Sequence, residues 1–167
     1  MCELQPCASQ GWLEYSKLEE EEGNVAKCSR ILNKGLTFYS INENLLIRTI
    51  KHEERMGHET RGGNLSRARE LLAPLKHCNI EKVWKIVLEG AMMEARAGNE
   101  VEARRILKYL MHWVPWYGPL YFEAFRLERD SGQQIEALSV VDNGLKDNQR
   151  YGPLWFGASG CAREWIC

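Results

Sequence analysis

The sequence predicts an all-α fold, an α-α superhelix of about four helical pairs plus a partial fifth. Three observations carry this. A hexapeptide returns almost unchanged after 34 residues, as Tyr117-Gly118-Pro119-Leu120-Tyr121-Phe122 and Tyr151-Gly152-Pro153-Leu154-Trp155-Phe156. A glycine followed by a polar residue recurs at Gly23-Asn24, Gly63-Asn64, Gly98-Asn99 and Gly132-Gln133, the last three 35 and 34 residues apart. Around these anchors the apolar residues step by about three, four and seven, the signature of one buried helix face.

The element before each anchor is helix A. Its apolar stripe reads Trp12, Tyr15 and Leu18 in the first unit, and Leu46, Thr49, Ile50 and Glu53 in the second. The third and fourth read Val87, Gly90 and Met93, then Tyr121, Ala124 and Leu127. A glutamate follows three of the stripes, at Glu19, Glu94 and Glu128, and the anchor glycine then takes the left-handed conformation that ends a helix. The element after each anchor is helix B. Its fifth residue is always small (Cys28, Ala68, Ala103, Ala137), and an aliphatic pair stands at its eighth and ninth places, with a leucine one turn later at Leu36, Leu75, Leu110 and Leu145.

Helices are expected at 11–22, 24–37, 43–57, 64–77, 81–97, 99–112, 118–131 and 133–147, leaving almost no strand signal. The second stripe aligns on Gly57, so His58 to Gly63 reads as an insertion in the A-to-B turn, where a surface loop costs little. Trp113 to Pro119, with two prolines and a glycine, marks the junction before the fourth unit. One such pair cannot bury its apolar face alone, so the pairs must stack. Residues 1–10 are then an N-terminal extension, 11–158 the repeats and 159–167 a divergent tail. That tail leaves the repeat without a polar capping helix, which points to a piece of a longer protein or an imperfect gene model, with self-association through the uncapped ends as an expectation.

Lys plus Arg (22) and Asp plus Glu (23) nearly cancel, which argues against a general attraction to polyanions. Residues 1–7 lack the basic start and apolar core of a secretory signal, and no apolar run reaches membrane-spanning length. No two of the six cysteines stand in a C-x-x-C spacing; Cys28 and Cys78 read as reduced structural residues in an intracellular chain. No nucleophile elbow, phosphate-cradling loop, zinc spacing or EF-hand loop is present, and His52, His58, His77 and His112 lack ligand partners at suitable spacing. The reading is a non-enzyme with no catalytic, metal or cofactor site and no cofactor.

Of the run Glu19 to Glu22, only Glu19 fits the repeat, the others reading as a solvated helix end near the cations of helix B. Trp12, Trp84 and Trp155 read as packing residues of helix A. Trp113, Trp116 and Tyr117 read as a packed corner, with a base-stacking platform as the alternative. The informative polar pattern is a run of cations on helix B of the first three units: Lys27, Arg30 and Lys34, then Arg67 and Arg69, then Arg104, Arg105 and Lys108. Stacked, these could line one side of the superhelix for RNA or a partner, whereas the fourth unit turns acidic at Glu136, Asp142 and Asp147.

Trp12-Leu13-Glu14-Tyr15-Ser16-Lys17-Leu18-Glu19, Ala68-Arg69-Glu70-Leu71-Leu72 and Ala103-Arg104-Arg105-Ile106-Leu107 resemble the half-a-TPR (HAT) repeat, a relative of the tetratricopeptide repeat (TPR). The resemblance runs over 11–158. It implies a TPR/HAT-type solenoid among the scaffolds of RNA processing: spliceosomal, 3'-end, ribosomal RNA or organellar. The expected function is a non-catalytic scaffold for protein subunits of a ribonucleoprotein assembly, in the nucleus, with an organelle or the cytoplasm as alternatives. Direct single-stranded RNA binding by the helix B cations, and a TPR peptide-binding or chaperone co-factor, are the alternative functions.

Overall fold

The computed structural model describes residues 9–59 and 65–157. The chain divides into two compact units between Cys78 and Asn79. In the first, α1 (Ser9–Glu21) and α2 (Val25–Phe38) form one helical pair, followed by α3 (Glu43–Glu59), α4 (Leu65–Leu72) and a 3-10 turn at Ala73–His77. In the second, α5 (Ile80–Arg96) pairs with α6 (Glu100–Trp113) and α7 (Gly118–Asp130) with α8 (Gln134–Asp147). Residues 152–157 begin a further helix. Among the described residues every regular element is helical, as the repeat predicts, and no helix is long and apolar enough to cross a membrane.

The anchors are helix stops of one kind. Gly23, Gly98 and Gly132 hold φ of 77°, 83° and 74°. Behind each, the next residue's N–H reaches back to the carbonyl of the helix A glutamate: Asn24 to Glu19 at 2.8 Å, Asn99 to Glu94 at 2.9 Å, Gln133 to Glu128 at 2.8 Å. The glycine's own N–H bonds the carbonyl three residues back, completing the two-bond closure of a helix on a left-handed residue. Gly63 lies outside the described residues.

The four small residues of helix B, Cys28, Ala68, Ala103 and Ala137, are fully buried. In the first unit Cys28 joins Trp12, Ile31, Leu32 and Leu45 in one cluster. In the second, Trp84, Leu107, Leu110 and Leu120 lie in one cluster, and Tyr121, Phe125, Val141 and Leu154 in another.

Four expectations change in detail. Leu18 is half exposed, and Ser16 and Glu19 are buried instead. The equivalent of Leu18 in α3 is His52, which packs on Cys28 of the preceding helix B; among the described residues α1 has no such preceding helix. Ser16 is buried without penalty because its hydroxyl donates to the Leu13 carbonyl at 2.7 Å. The expected single helix at 64–77 changes to a 3-10 turn at Ala73, because Pro74 has no N–H to continue the α ladder. The expected loop insertion is partly helix, since α3 runs on to Glu59. Trp155 is exposed, its Nε1–H donating to the Gln149 carbonyl at 2.9 Å. The tail at 159–167 lies outside the described residues.

Candidate functional site: the helix B cations

In the first unit, Lys27, Arg30 and Lys34 of α2 are all exposed, as their three- and four-residue spacing requires for one face. Their surroundings differ. Lys27 Nζ lies 2.6 Å from the buried Glu19 carboxylate and over the Tyr15 ring. That hydrogen bond holds the Glu19 carboxyl below its ordinary value and raises the Lys27 ammonium. Lys34 sits over the Trp12 ring. Arg30 makes no ion pair among the described residues. On α4, Arg67 pairs with Glu70 at 3.0 Å and donates to Asn33 of α2 at 3.3 Å, while Arg69 is exposed.

In the second unit, Arg104 of α6 grips Glu128 of α7 through two nitrogens, Nε at 2.8 Å and one terminal nitrogen at 2.9 Å, with Glu100 at 3.8 Å behind it. The Glu128 hydrogen bonds push the guanidinium further toward its charged form. Glu128 is buried, so this fork links consecutive helical pairs within the unit. Arg105 pairs with Glu102 one turn back at 3.2 Å. Lys108 is exposed without an ion pair among the described residues.

The acidic run ending α1 is more engaged than its sequence suggests. Glu20 is not a solvated residue: α3 brings Arg48 to it at 2.5 Å, with Arg55 on the same carboxylate. Glu21 and Glu22 remain exposed, as expected of a helix end. Sequence reasoning missed both arginines, because only the packing of α3 on α1 brings positions 48 and 55 to position 20. It also missed His52. Cys28 and Cys78 are free, the Cys28 thiol pushed up by burial; the other four cysteines and His58 lie outside what the structure describes.

The aromatic corner forms on Trp84. Tyr117 packs against it at 4.6 Å and Trp116 meets it edge-on at 5.6 Å, leaving Trp113 and Trp116 with outward faces more than half exposed. Among the described residues no cluster of three or more His, Cys, Asp or Glu stands ready to hold a metal ion.

Paired helices joined by left-handed glycine stops, with small residues at each helix B contact, define a TPR-like helical-repeat scaffold. Solved structures agree. A tetratricopeptide repeat protein from Parabacteroides merdae matches 99% of this chain and 62% of its own, with a TM-score of 0.67 at 18% identity. YrrB, described as a TPR protein with an unusual peptide-binding site, matches 95% of this chain and 78% of its own, with a TM-score of 0.62 at 13% identity. These likenesses carry the fold alone. The model of the PRP6 TPR-like domain family matches residues 1–160, and the chain belongs to that family. It is also 53% identical over 124 residues to a TPR-containing protein of Dictyostelium discoideum, covering 74% of this chain. The chain spans 9% of that relative's length.

Proposed function

We propose that this chain is a non-catalytic scaffold that holds protein subunits of a ribonucleoprotein assembly, that of pre-mRNA splicing, in the nucleus. The observation that carries this reading is the match to the PRP6 TPR-like family along residues 1–160. The chemistry of the surface supports protein over RNA as the direct ligand. Lys27, Arg67, Arg104 and Arg105 face carboxylates of the chain itself, so they offer little uncompensated charge to a phosphate backbone. Arg30 on the first unit and Lys108 on the second, both exposed and without an ion pair among the described residues, are each proposed as a point that a partner meets.

Tagged chain is purified from its own cells with and without ribonuclease, and the recovered proteins are identified by mass spectrometry. Small nuclear ribonucleoprotein subunits retained after ribonuclease are the expected result. Their loss on ribonuclease treatment favours direct RNA binding, and recovery of chaperones in their place favours a TPR co-factor.

A further inference from the structure

We draw no further inference here: the strongest candidate, the exposed aromatic patch of Tyr109 and Trp113 at the end of α6 and Trp116 in the connection to α7, is an unpartnered apolar face, and nothing in the structure shows what covers it.

Discussion

Glu19, Glu94 and Glu128 each perform two tasks at the end of a helix. The backbone carbonyl closes the left-handed stop, and the carboxylate is buried where an unpaired charge would be costly. In two repeats the residue after the glycine supplies the partner: Asn24 Nδ2 donates to Glu19 at 3.0 Å and Asn99 Nδ2 to Glu94 at 2.7 Å. In the fourth, Gln133 stands there and Arg104 of the preceding helix B takes over. Arg104→Ala strands the Glu128 carboxylate and should lower stability by about 2–3 kcal/mol in urea denaturation. Adding Glu128→Leu should restore most of that loss, since an apolar pair leaves no buried charge. The titrating groups give two pH windows. Burial lowers the His52 value from 6.5, so the unfolded chain binds the extra proton and stability should fall as pH drops from 6.5 toward that depressed value. Lys27 lowers the Glu19 value from 4.5, so its contribution is present above 4.5 and lost as pH falls through the depressed value. Denaturation midpoints against pH should lose the lower inflection in Glu19→Gln and keep the upper one.

Where a helix B crosses its own helix A, size is exchanged between two positions. Gly35 of α2 faces Trp12, with an added Cβ meeting that side chain at 3.3 Å, and Gly144 of α8 faces Tyr121, where the same atom would come within 2.8 Å. In the α5–α6 pair the equivalent positions are Val87 and Leu110, packed in one cluster. A large aromatic is thus matched by glycine, and an aliphatic by leucine, keeping the volume between the helices nearly constant. Gly144→Leu should cost about 1–3 kcal/mol by overpacking, and Tyr121→Val in the same chain should recover much of it. The fully buried small residues are a second close contact: Ala103→Leu and Ala137→Leu should each cost about 1–3 kcal/mol, read as thermal and urea midpoints. Unchanged midpoints in both would remove the close-packing account.

For the chain as a whole, charge decides how RNA would be met. The net charge is -1, and the helix B cations Lys27, Arg67, Arg104 and Arg105 face carboxylates of the chain itself. Affinity for single-stranded RNA is therefore expected to be no tighter than about the 10⁻⁴–10⁻⁶ M of non-specific association at physiological salt. Anisotropy titration with labelled RNA at several salt concentrations checks this. Nanomolar binding abolished by Arg67→Glu and Arg104→Glu would replace the protein scaffold with direct RNA recognition.

The sequence by itself determined the helical pairs and their stops, because both are local: a 34-residue return, a 3.6-residue period and a glycine free to adopt positive φ need no distant partner to be read. It also marked the small residues of helix B, since one place repeated four times and always small carries the same constraint each time. The tertiary structure decided which polar side chains meet. Arg48 and Arg55 reach Glu20, Arg104 reaches Glu128, and His52 is pressed against Cys28, all between helices whose neighbours lie 24 or more residues away. It likewise decided that Trp155 stays exposed although its equivalent Tyr121 is buried. A period says which face of a helix turns inward; charge pairing and exposure depend on what the neighbouring helix brings to that face, which no local spacing specifies.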